Sequence, residues 1–160
     1  MNHTTFPMTG YDWFRAYTAL SRSGSVSEEI RACERAWGAP FRRDEAAVRA
    51  IRTLPGYPSY ARALRGILSF PLTLYRVATA EQYEAWRAGR LHRPVVAASF
   101  SLEITTVIRE VYPDPSRGLL LIKGLLRDPE AIIMRGNLEG YELVVDGSRV
   151  GSVEVSVVDR

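Results

Sequence analysis

The run Leu72-Thr73-Leu74-Tyr75-Arg76-Val77 is where the chain changes character. Before it, apolar residues recur at helical spacing; from it onward they gather into short β-rich runs. The switch points to an α+β fold, with helices first and a strand-rich region of about ninety residues after them.

Upstream of Leu72, Pro71 bars a helix from running into the strand. The segment Ser59–Ser69 carries Tyr60, Ala63, Leu64, Ile67 and Leu68 on one helical face. Before it, Asp44–Leu54 places Ala47, Val48, Ile51 and Leu54 on one stripe, and Pro55-Gly56 closes it. Ser25-Val26-Ser27-Glu28 has capping-box spacing, in which a Ser oxygen accepts from the backbone three residues on while Glu28 reaches back. The helix it opens is expected to stop at Gly38, with Pro40 close behind. Trp13, Phe14, Tyr17 and Leu20 define a first helix that breaks around Gly24. Residues 1–56 are therefore read as an amino-terminal helical region and 57–160 as the α+β core, within one compact unit.

Downstream, Thr79–Arg87 reads as a helix, with Thr79 and Gln82 in capping-box spacing and Gly89 at its stop. After Pro94, Val95–Leu102 reads as a strand. In Glu103–Tyr112, Ile104, Val107, Ile108 and Val111 favour a helix despite their β-branched character. Leu119–Leu126 and Ala131–Met134 read as strands. Tyr141–Val145 and Val150–Val158 flank Asp146-Gly147-Ser148-Arg149, a hairpin signal.

Composition excludes several classes of function. With 46% apolar and 24% charged residues the chain is globular in type. No uncharged apolar run approaches the ~18 residues that span a bilayer, and the first residues lack the basic and apolar blocks of a secretory signal, so a cytoplasmic location is expected. Cys33 is the single cysteine and His3 and His92 the two histidines, so neither a disulfide framework nor a cysteine-based zinc site is available, and no metal is expected. Phosphate-binding glycine loops, a dinucleotide fingerprint and a nucleophile elbow are all missing. Cys33, beside Arg31 and Arg35, is read as a packed or surface thiol and His92 as part of a basic connector. The net charge of +3 permits a nucleic-acid partner without indicating one, since the basic residues, all arginine but Lys123, are dispersed over the helices.

Three features stand out against this background. Arg76 interrupts an apolar strand, where a guanidinium turned inward needs an anion for its donors. Ser99 and Ser101 alternate with apolar residues and so share one face of a strand. Glu142 opens the apolar run Glu142-Leu143-Val144-Val145. An arginine on a first strand, Ser-x-Ser on a middle strand and a glutamate on a late strand, in this order, resemble the arginine-serine-glutamate class of the ADP-ribosyltransferase superfamily. The resemblance covers about residues 57–146, with Leu74-Tyr75-Arg76-Val77, Ser99-Phe100-Ser101 and Tyr141-Glu142-Leu143-Val144-Val145 as its motifs.

The resemblance implies a split β-sheet core and an enzyme that takes NAD as substrate. Glu142 would stabilise the oxocarbenium-like transition state as the bond to nicotinamide breaks. Arg76 would meet the pyrophosphate. Ser99 is the leading hydroxyl of its motif and Ser101 supports it, while Val77 offers a backbone contact to nicotinamide. The acceptor implied is a macromolecule, protein or nucleic acid, and a toxin-like, phage-encoded or delivered effector is compatible with it. Gly140 stands where arginine-modifying members carry a second glutamate, so arginine as acceptor is unsupported. Val77 replaces a glycine and Phe100 a threonine. These departures motivate an alternative, a non-catalytic binding or interaction protein (nucleotide sensor, inhibitor or assembly component) that retains the fold. A nucleic-acid-binding module is a third reading.

Overall fold

The structure, a computed structural model, describes residues 10–37, 45–79, 84, 88, 98–101, 119–136 and 142–157. Their helices are α1 (Gly10–Arg22), α2 (Glu28–Ala36), α3 (Glu45–Thr53) and α4 (Tyr57–Gly66). The strands are β1 (Leu72–Thr79), β2 (Ala98–Ser101), β3 (Leu119–Leu126), β4 (Ile132–Arg135), β5 (Glu142–Val145) and β6 (Gly151–Val157). The architecture is α+β. The expected helices over 79–87 and 103–112 lie outside the described residues, apart from Thr79, which ends β1, and Glu84, which is helical.

Local chemistry explains most of the boundaries. Gly24, at φ +83°, takes the left-handed conformation that ends the turn between α1 and α2. The cap of α2 is Ser27 rather than Ser25: its side chain accepts from the Ile30 N–H at 3.3 Å, whereas Ser25 Oγ lies 2.9 Å from Ser23 Oγ. Helix α4 starts earlier than its apolar stripe suggested, with Pro58 in its first turn, and ends at Gly66 instead of reaching Ser69.

The strands form a single antiparallel sheet in the order β4-β5-β2-β1-β3-β6. Strand β1 pairs with β3 along its whole length, from Leu72↔Leu126 to Thr79↔Leu119. Strand β2 pairs with β5 along its whole length, from Ala98↔Val145 to Ser101↔Glu142. Between β1 and β2, Tyr75↔Ser101 is the single register pair among the described residues.

The expected hairpin between the last two strands does not form. Strand β5 lies between β4 and β2, and β6 sits at the opposite edge against β3. Asp146 decides the connection: its carboxylate accepts from the Ser148 N–H at 3.1 Å and from Ser148 Oγ at 2.6 Å. That cap starts a 3-10 turn over Gly147–Arg149, which carries the chain away instead of folding it back.

Helices and sheet share one hydrophobic core. Trp13, Ile30, Val48, Ile51, Tyr60 and Leu64 from the helices are buried in the same cluster as Leu74, Leu126, Ile132 and Val144 from the strands. Each such aliphatic side chain contributes about 1.5–3 kcal/mol, so the helical region and the strands stabilise one another. Among the described residues, no helix is long and apolar enough to cross a membrane.

The helices also cover the sheet's β4 edge. Tyr57 Oη donates to Ile133 O at 2.9 Å, the Arg135 N–H donates to Tyr60 Oη at 3.0 Å, and Arg65 donates to Ile132 O at 3.1 Å. Side chains thus satisfy backbone groups that an open edge would leave for another chain to pair with.

Candidate functional site

The three motif-bearing strands are far apart in sequence and adjacent in the sheet, as β5-β2-β1. Register aligns Tyr75 with Ser101 and Ser101 with Glu142. Directly paired residues of an antiparallel sheet belong to the same face, so Tyr75 and Glu142 share one cross-strand row. Ser99 pairs with Val144, two residues along the same face.

Arg76 stands one residue outside that row. Its partner is Ile122, and by alternation it belongs with Leu72 and Leu74 on the face opposite Glu142. The sheet therefore brings the backbone positions of Ser99, Ser101 and Glu142 together and places Arg76, half-buried, on the other side of β1. Val77 pairs with Leu121 in the interior of the β1–β3 ladder. Gly140 lies outside the described residues.

Glu142 is 8% exposed, a buried carboxylate at the first position of β5. Its Oε1 accepts from the indole Nε1–H of Trp37 at 3.3 Å. Trp37 caps the carboxyl end of α2, where its own N–H donates to Cys33 O at 3.2 Å. Just past the end of β4, Gly136 donates its N–H to Glu142 O at 3.0 Å. A Cβ at Gly136 would stand 2.3 Å from Glu142 Cδ, so only a glycine leaves the carboxylate its room.

A second buried acid, which the sequence reading missed, stands on α2 three residues before Trp37. Glu34, 5% exposed, receives Tyr17 Oη at 2.5 and 2.7 Å from its two oxygens, and Tyr60 Oη at 2.8 Å. The Arg135 guanidinium sits over the Tyr17 ring, 4.1 Å from its centroid. Burial raises the Glu34 pKa, against the lowering effect of hydrogen bonds from Tyr17 and Tyr60 and of the nearby charges of Arg135 and Arg31. Burial, then the Glu34 charge, push the Tyr17 and Tyr60 phenols upward, so both remain proton donors at neutral pH. One signal was available: Glu34 falls on the buried stripe of α2, between Ile30 and Trp37.

Cys33 is half-buried against the core, and burial followed by the charge of Glu34 raises its pKa. That is the opposite of what a reactive thiolate needs. Trp13 and Trp37 are core residues, while Phe14 is 44% exposed. Among the described residues, no group of three or more His, Cys, Asp or Glu side chains is arranged to hold a metal ion. Comparisons of the chain with family models, with curated proteins and with solved structures found no match.

Proposed function

We propose that the chain is a mono-ADP-ribosyltransferase-like enzyme that cleaves NAD and transfers ADP-ribose to a macromolecular acceptor. One observation carries this reading: the strands bearing the arginine, the Ser-x-Ser and the glutamate are neighbours in the sheet, with Ser101 in register with Glu142. In the reaction the bond between the ribose C1′ and the nicotinamide nitrogen breaks, and its electron pair leaves with nicotinamide. The ribose becomes oxocarbenium-like, and the Glu142 carboxylate opposes the developing positive charge. The acceptor nucleophile then bonds to C1′ and loses its proton. By the resemblance, the Ser99 and Ser101 hydroxyls would support the glutamate, Arg76 would meet the pyrophosphate and Val77 would offer a backbone contact to nicotinamide.

A second reading is favoured by the alternation of β1. With Arg76 and Glu142 on opposite sheet faces, the chain keeps the strand arrangement without the catalytic pairing and acts as a binding or interaction protein. Release of nicotinamide from NAD labelled in that ring separates the two. The enzymatic reading expects release by the wild-type protein and its loss in Glu142→Gln, with the thermal transition retained. No release, together with no shift of the transition on adding NAD, decides for the non-catalytic protein.

A further inference from the structure

We infer that Trp37 is a positioning residue for Glu142, which makes the amino-terminal helices part of the site rather than an appendage to it. The inference rests on the reading of Glu142 as the residue that acts on NAD.

The contact joins residues 105 positions apart, from the end of α2 to the start of β5, and both partners are buried. A hydrogen bond to Oε1 restrains one oxygen of the carboxylate from the side of α2. Gly136, directly after β4, bounds the same group, and its missing Cβ is the space that the Glu142 side chain fills. A buried carboxylate held by an indole donor against a glycine has little rotational freedom left, which is what charge stabilisation at a fixed ribose position requires.

The two sides of this holder are tied to each other through Glu34. That residue lies one turn before Trp37 on α2, and its partner Tyr60 accepts from the N–H of Arg135, the residue before Gly136. The Arg135 guanidinium also packs on Tyr17, which donates to Glu34. A shift of α2 relative to β4 would break this buried set of hydrogen bonds, so the indole and the glycine keep their spacing. An aromatic residue serving only as core would need no N–H at this point.

The test combines spectroscopy with kinetics on the full chain. In ¹H–¹⁵N spectra, Glu142→Gln should move the indole resonance of Trp37 and leave the other indoles in place; the variant removes a charge and keeps the side-chain shape. Trp37→Phe, which removes the donor and keeps an aromatic ring, should lower kcat for nicotinamide release about ten- to a hundredfold while the KM for NAD changes less than about twofold. An indole resonance indifferent to Glu142→Gln overturns the inference whatever the activity, and so does a Trp37→Phe protein with unchanged kcat or with its loss confined to KM. If Trp37→Phe does not fold, the Glu142→Gln spectrum alone decides the contact. Wild-type protein that releases no nicotinamide overturns the catalytic reading of Glu142 and the role drawn from it, whereas a silent indole in an active protein overturns the role of Trp37 alone.

Discussion

Gly136 and Glu142 compete for one volume across the β4–β5 pair: the carboxylate of Glu142 lies where a Cβ of residue 136 would be, 2.3 Å from Cδ and 2.5 Å from Oε2. Gly136→Ala is therefore expected to turn Glu142 out of its place while leaving the fold recognisable. The overpacking should cost about 1–3 kcal/mol, measured by urea unfolding, and nicotinamide release should fall with it. Unchanged stability and activity would show that the Glu142 side chain does not occupy this space.

The buried Glu34 sets a pH dependence. Its folded pKa lies above the ordinary value of 4.5, chiefly through burial, so the folded chain holds that proton more tightly than the unfolded one. Its contribution to stability is then fully present below the ordinary value and is lost as pH rises through the raised folded value. In Glu34→Gln this component is absent. The difference in Tm, wild type minus variant, should become more negative from about pH 4.5 upward toward neutrality. A difference that rises over the same range would mean that the Tyr17 and Tyr60 hydrogen bonds outweigh burial.

Tyr57 and Tyr60 both serve the β4 edge, and unequally. Tyr57→Phe removes one donor, to Ile133 O, and should cost about 1 kcal/mol. Tyr60→Phe removes the donor to Glu34 and the acceptor of the Arg135 N–H, and should cost about 2–4 kcal/mol because a buried carboxylate loses a partner. Equal shifts of the urea midpoint would refute the central place given to Tyr60.

Gly24 and Gly66 make a paired backbone test. Nothing lies within 4 Å of a Cβ built on either, so packing is silent at both. Gly24→Ala should destabilise the chain by about 1–2 kcal/mol, because φ +83° strains any L side chain. Gly66→Ala, at the end of α4 with no positive φ, should be neutral or stabilising by up to about 1 kcal/mol. Matching Tm shifts in the two variants would contradict the left-handed turn after α1.

Where periodicity is strong, the sequence reading and the structure coincide closely. The apolar stripes through Val48 and Ile51 and through Tyr60 and Leu64 lie in helices α3 and α4, and Leu119–Leu126 is β3 residue for residue. The misreadings arose where two local signals competed. Ser25 and Ser27 both precede an acidic first turn, and only geometry shows that Ser27 reaches the Ile30 N–H. The segment Asp146-Gly147-Ser148-Arg149 has the residues of a hairpin turn, yet those same residues form an Asp-capped 3-10 turn, and both sides of β5 are taken by β4 and β2. Glu34 went unnoticed because its partners Tyr17 and Tyr60 lie on other helices.

Local forces written along the chain, namely apolar spacing, caps and breakers, were enough to mark an α+β protein and, among the described residues, the order of the main helices and strands. They also singled out Arg76, the serines at 99 and 101, and Glu142 as unusual. Which of these meet is a matter of strand order and register, and those depend on burial summed over contacts between distant segments. Only the assembled sheet pairs Ser101 with Glu142, sets Arg76 on the alternate face, and brings Trp37 to the glutamate from another layer. A one-residue step in register reverses the face a side chain points to, and no nearest-neighbour property of the sequence records that step.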